Sequence, residues 1–162
     1  MTTKTNSNAA INTANSDIII WSKTYATGIE LIDNQHKELV NLTNDLYRAC
    51  LAGKDTANTV FKEAMSRMVE YVRFHFGFEQ KILANIKYPD YSKHKKQHES
   101  LIRNILKAVK EYEKGVKYIP NNFVRTLKDW VFGHIAVFDK TYSIYILEQL
   151  KKGFLVEKQL KG

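Results

Sequence analysis

The chain has 162 residues, 25 Lys and Arg against 17 Asp and Glu for a net charge of +8, 44% apolar residues, and only 7 Gly and 2 Pro. That length holds one domain with a single core, and so few helix breakers suit long helices with short connections. A single cysteine, Cys50, excludes an intrachain disulfide, and no apolar run approaches the roughly 20 residues of a membrane span or has the form of a signal peptide. The lysines are scattered along every segment without an aromatic-interleaved basic box, which reads as a solvated surface and not as a nucleic-acid site. The expectation is a cytoplasmic, soluble monomer with neither a nucleic-acid nor a membrane partner.

Residues 1–17 are rich in Thr, Asn, Ala and Ser and poor in large apolar groups, so they read as a flexible tail. Ile18, Ile19, Ile20 and Trp21 form an apolar patch too short for its own helix, expected to pack as an arm on the rest. Gly28 breaks the chain before a first helix expected from about Glu30 to about Ala52. Its stripe is His36, Leu39, Val40, Thr43, Leu46, Tyr47 and Cys50, at steps of three and four or their sum. A lone histidine on such a stripe is ordinarily a hydrogen-bonded core residue, and Cys50 is most simply a small apolar one.

Gly53 is expected to close that helix and a second to begin near Thr56 or Asn58. Its inward stripe, Phe61, Met65, Met68, Val72, His75, Glu79 and Ile82, alternates steps of four and three, the narrow seam of a helix among near-parallel neighbours. Glutamate is rarely buried without a partner, so Glu79 in this seam demands an explanation. Pro89 stops the second helix from continuing. The third is expected from about Tyr91 to about Lys114, with His94, His98, Leu101, Ile105, Ala108 and Tyr112 inward and Gly115 at its end. His94 and His98 are one turn apart and project from one face. The fourth begins near Pro120, a residue favoured in a first helical turn, and carries Phe123, Leu127, Trp130 and His134 inward. Asp139 follows His134 by five, then Tyr142, Tyr145, Ile146 and Gln149. The final segment, 156–162, reads as a tail, leaving 18–155 as the domain.

Four such helices with short connections imply an all-α, antiparallel up-down-up-down four-helix bundle with an N-terminal arm. All five histidines then face inward, joined by Glu79 and Asp139. Five independent core histidines beside two inward carboxylates are hard to reconcile with burial rules unless the groups pair or bind metal. Seven ligands are too many for one ion and fit two. Zinc sites generally take four, whereas imidazole mixed with carboxylate suits iron and similar first-row metals.

The pattern resembles the hemerythrins, in particular the bacterial single-domain form. The matching segments are IDNQHKEL with His36, HFGFEQ with His75 and Glu79, YPDYSKHKKQH with His94 and His98, and HIAVFDK with His134 and Asp139. The resemblance runs from about residue 18 to about residue 147. It implies a bridged di-iron centre: His94, His98 and His134 on one iron, His36 and His75 on the other, and Glu79 and Asp139 shared. The implied activity is reversible binding of molecular oxygen on the iron of His36 and His75, for storage, delivery or buffering, without enzymatic turnover. Leu39, Phe76, Val131 and Ile135, each within a turn of His36, His75 or His134, are expected to wall the oxygen pocket. Val131 stands where the family often has a larger Leu, and Gln80 where many bacterial members have Glu, a position that is not a ligand.

The rival enzyme reading is a ferritin-like di-iron oxidase, which uses Glu-x-x-His pairs; no Glu here is followed three residues later by His. Sensing through a separate partner, or nitric oxide handling, is the other alternative. One geometric expectation concerns helix four. Five residues at about 100° each leave Asp139 about 140° from His134, so a π-bulge is expected between them if both face inward.

Overall fold

The computed structural model describes residues 17–51, 54–115, 119–156 and Leu160. The expected flexible tail over residues 1–16, the end of the first helix beyond Leu51 and most of the C-terminal tail lie outside these. The long helices are α1 (Glu30–Leu51), α2 (Lys54–Asn85), α3 (Tyr91–Glu113), α4 (Ile119–Gly133) and α5 (Lys140–Lys151). A π-helical turn, His134–Asp139, joins α4 to α5 and makes them one continuous fourth rod. α1 packs on α2 and α4, and α3 on the same two, closing the four-helix antiparallel bundle.

Local chemistry sets the boundaries. Gly28 takes a positive φ of 82°, and the Asp33 side chain gathers the chain before α1. Its Oδ1 accepts from the Thr27 backbone N–H and the Thr27 hydroxyl, both at 2.7 Å. α2 starts at Lys54, two to four residues before the expected Thr56 or Asn58. It ends in a Schellman arrangement: Lys87 N–H donates to Ala84 O at 3.1 Å and Tyr88 N–H to Leu83 O at 2.9 Å. Lys87 occupies the left-handed position at φ 52°, where glycine is usual. Gly115, at φ 80°, stops α3 as expected.

The arm packs on the bundle, as expected. Ile19 is 2% exposed. Asn44 of α1 holds its backbone, its Oδ1 accepting from Ile18 and Ile19 N–H at 3.1 and 3.0 Å and its Nδ2 donating to Ile19 O at 2.9 Å. A 3-10 turn, Lys23–Tyr25, then leads past Phe132, whose ring centroid is 4.9 Å from that of Tyr25.

The inward stripes bury two apolar clusters. The larger contains Leu39, Leu46, Phe61, Met68, Phe76, Leu101, Leu127, Val131 and Ile135. The smaller contains Ile32, Ile82, Leu83, Ile86, Tyr88, Tyr142 and Ile146, with Leu155 and Leu160 packed against it. On each rod the chain passes from one cluster to the other across polar residues: His36 on α1, Glu79 on α2, His94 and His98 on α3, Asp139 on the fourth. A polar layer therefore crosses the core of the bundle.

Candidate metal centre

The layer is built by helical spacing. His75 and Glu79 are one turn apart on α2, and His94 and His98 one turn apart on α3. Between His134 and Asp139 the backbone widens. The Lys140 N–H reaches back to Ile135 O, five residues earlier, where an α-helix would reach only four. The expected π-bulge is therefore present, and it turns Asp139 inward beside His134. None of the seven side chains is more than 3% exposed.

Their donor atoms converge in two groups that share Glu79: Glu79, His94, His98, His134 and Asp139, then His36, His75 and Glu79, the atoms of each group lying within 4.8 Å of one another. Each carboxylate straddles the layer. Glu79 Oε2 lies 3.2 Å from His98 Nε2 and 3.9 Å from His94 Nε2. Its Oε1 faces the other way, 3.4 Å from His36 Nε2 and 3.7 Å from His75 Nε2. Asp139 repeats the pattern, Oδ1 at 2.9 and 3.1 Å from the Nε2 atoms of His94 and His134, and Oδ2 at 3.1 Å from that of His36.

These contacts leave atoms unsatisfied. His36 Nε2, His75 Nε2, Glu79 Oε2 and Asp139 Oδ2 are buried and make no hydrogen bond. Buried polar groups are nearly always paired, so lone pairs that converge without bonding one another mark the place of a cation. His98 Nε2 and His134 Nε2 face each other at 2.9 Å, so both ring nitrogens point into the same space.

Without an ion the groups polarise one another. Burial lowers the His36 pKa, but the close approach and negative charge of Asp139 and Glu79 outweigh it and raise it to about 10. Burial brings His75 and His98 down to about 4, against the pull of Glu79. Burial alone would raise the Glu79 and Asp139 carboxyls, yet the surrounding imidazoles hold both well below the usual carboxylate range. Neutral His75 and His98 beside ionised carboxylates are already in the forms that ligate metal, whereas His36 must release its proton when an ion binds.

Three neighbours touch the layer through contacts that the sequence did not announce. Tyr142, three residues after Asp139, donates its hydroxyl to Glu79 Oε1 at 2.5 Å. Gln35 Oε1 lies 2.9 Å from His75 Nδ1, and Gln80 approaches His98 Nδ1 at 3.3 Å. Tyr142 carried a signal, since a buried tyrosine must find a partner for its hydroxyl. The residues expected to wall the oxygen pocket, Leu39, Phe76, Val131 and Ile135, are all 2% exposed or less and belong to the larger apolar cluster. Phe76 lies flat on the His98 ring, centroids 3.6 Å apart, and is 5.7 Å from that of His75. Trp130 stacks on His134 at 4.2 Å.

The chain is similar to known proteins. The hemerythrin HHE cation binding domain matches residues 27–143. The bacteriohemerythrin of Pseudomonas aeruginosa is 32% identical over 124 residues, 76% of this chain and 78% of that one. That of Stenotrophomonas maltophilia is 26% identical over 145 residues, 90% of this chain and 92% of its own. A solved wild-type hemerythrin superposes with a TM-score of 0.71 at 24% identity, covering 78% of this chain and 95% of that one, a likeness of fold. The cofactor of a hemerythrin domain is a di-iron centre, and the nitrogen and oxygen donors of the layer suit it in number and kind. With that donor layer and a matching domain over most of its length, the chain belongs to the hemerythrin family.

Proposed function

We propose that this chain binds molecular oxygen reversibly at the di-iron centre and stores, delivers or buffers it. The observation that carries this reading is the inequality of the two donor groups. His94, His98 and His134 would give one ion three nitrogens, and His36 and His75 the other two. Glu79 and Asp139 each reach toward both. The ion of His36 and His75 then has one protein donor fewer, which leaves a place for a small ligand. When bound, the di-iron centre supplies that place and the electrons that hold oxygen there reversibly.

The rest falls to the chain. Glu79 and Asp139, each lying between the two histidine groups, would hold both ions. Tyr142 keeps its proton, its pKa held well above the ordinary value by burial and by the charges of Glu79 and Asp139, so it serves Glu79 only as a donor. Leu39, Phe76, Val131 and Ile135 exclude water and anions from the layer. Among the described residues the buried carboxylates are Glu79 and Asp139 themselves. Repeated proton delivery would need a further acid, so this core favours binding over turnover.

Spectra of iron-loaded protein through alternating oxygen and argon test the reading. A band that rises and bleaches repeatedly supports a carrier, whereas a ferric form that only a reductant resets would overturn it in favour of an oxidase. Metal analysis should find two irons per chain, as expected for this cofactor. Glu79→Ala or Asp139→Ala should lose both, and His36→Ala should weaken mainly one.

A further inference from the structure

Two amides approach the histidines from behind, one in each donor group. Gln35, buried on α1, reaches across to His75 of α2, with its Oε1 2.9 Å from Nδ1. Gln80, half-buried on α2, reaches across to His98 of α3, with its Nε2 3.3 Å from Nδ1. The Nδ1 atoms of His36, His94 and His134 are buried and have no hydrogen-bond partner among the described residues. Each group thus contains one histidine held by an amide from the neighbouring helix.

Imidazole chemistry fixes what these contacts must be once ions are bound. A neutral ring that ligates through Nε2 carries its proton on Nδ1 and must donate it. The Gln35 oxygen is already placed to accept from His75. At His98 the Gln80 nitrogen faces the ring, so a ligating His98 would set two donors against each other. A half-turn of the amide exchanges oxygen and nitrogen in nearly the same space. The Gln80 oxygen then accepts from Nδ1–H, and the displaced NH2 points toward the solvent that half-exposed Gln80 meets.

We infer that Gln80 and Gln35 are positioning residues, one for each iron, and that their neutrality biases both ions toward the ferrous state. The inference rests on the ligand assignment proposed above. A ligating histidine that donates its other N–H is fixed in tautomer and orientation, and its basicity rises with the strength of the acceptor. A carboxylate would draw the Nδ1 proton strongly and make the ring a better donor to ferric iron. An amide oxygen fixes the ring equally well and draws that proton less. A centre that must give oxygen back and return to the ferrous form benefits from the weaker acceptor.

Two measurements test this. In protein loaded with zinc(II) as a diamagnetic probe, the His98 Nδ1–H proton should be visible by NMR and slow to exchange with water. Gln80→Leu should speed that exchange and leave the His75 proton unchanged; equal exchange rates in variant and parent would overturn the inference. In iron-loaded protein, Gln80→Leu should weaken iron about tenfold or more against a chelator. Gln80→Glu should restore the affinity and favour ferric iron about tenfold more, read as a downward shift of about 59 mV in a one-electron midpoint potential. Gln35→Glu should act likewise through His75. An unshifted potential in both glutamate variants, with two irons still bound, defeats this inference alone. A parent protein that fails to hold two irons defeats the ligand assignment beneath it.

Discussion

Replacing Tyr142 by Phe should isolate the worth of one buried hydrogen bond. The side chain is 1% exposed, and its hydroxyl reaches Glu79 Oε1 at 2.5 Å, so Phe keeps the ring and removes one oxygen. The remaining neighbours of Oε1, the Nε2 atoms of His36 and His75, stand at 3.4 and 3.7 Å and do not replace it. A hydrogen bond to a charged group contributes about 1.5–3 kcal/mol. At about 2–4 °C per kcal/mol for a chain of this size, the melting temperature of metal-free protein should fall by about 3–12 °C. Thermal unfolding followed by circular dichroism reads this directly. The assignment to Glu79 is checked by a cycle of Tyr142→Phe with Glu79→Gln, which leaves a similar shape without the charge. In that background the same change should cost clearly less. An equal cost in both backgrounds would show that the hydroxyl does not draw its contribution from the Glu79 charge, and the reasoning would fail.

Three further outcomes follow from the backbone and the charges. Lys87 sits at φ 52°, where a side chain costs about 1–2 kcal/mol, so Lys87→Gly should raise the urea midpoint despite the greater freedom of glycine in the unfolded chain; a lower midpoint would refute the strain. For metal-free protein, His75 and His98 stay neutral down to about 4 while the unfolded chain takes up protons from about 6.5. Stability should therefore fall as pH drops from 6.5 to 4, by about 1.4 kcal/mol per unit for each. His36 works oppositely: raised to about 10, it contributes stability that is lost as pH climbs from 6.5 toward 10. Urea midpoints should peak near neutrality, and a midpoint rising steadily to pH 9 would contradict this. Finally, deleting exposed Val137 from the π turn puts the Asp carboxylate four residues after His134, about 40° past a full α-helical turn, so it should still face inward and iron should be retained. Loss of iron in that variant would show that the wider turn itself shapes the site.

The seams of the four rods were legible because a seam at steps of three and four admits only residues that must be buried. Any histidine or carboxylate on it is conspicuous. The π turn was legible for the converse reason, since His134 and Asp139 cannot share a face at a separation of five. The start of α2 was not, because Lys54 and Asp55 follow a glycine and read as loop. Gln35 drew no notice and Gln80 was marked only as a position that is not a ligand, because each precedes or follows a seam residue by one, and periodicity does not reveal a long polar side chain that reaches sideways to the next helix. Tyr142 lies on the seam, but an inward tyrosine there looks like core. Phe76 was expected near the histidines of the open position; its ring lies 5.7 Å from that of His75 and closer still, 3.6 Å, to that of His98. Side-chain direction, not helical phase, decides that contact.

The layer between the two apolar clusters has a consequence for how the bundle comes apart. A continuous hydrophobic core transmits cooperativity along its length, but here seven ionisable groups interrupt it on every rod. Without ions the ends communicate only through helix backbone and a few polar contacts. The smaller cluster, around Ile82, Leu83, Tyr142 and Ile146, then has little to lean on. Amide exchange in metal-free protein should be fastest at that end, with α5 and the start of α1 opening as a local unit while the larger cluster stays closed. Two ions binding all four rods would weld the ends together. Metal loading should then erase the difference in exchange between them, so that the iron pair governs the mechanical unity of the bundle as well as its chemistry.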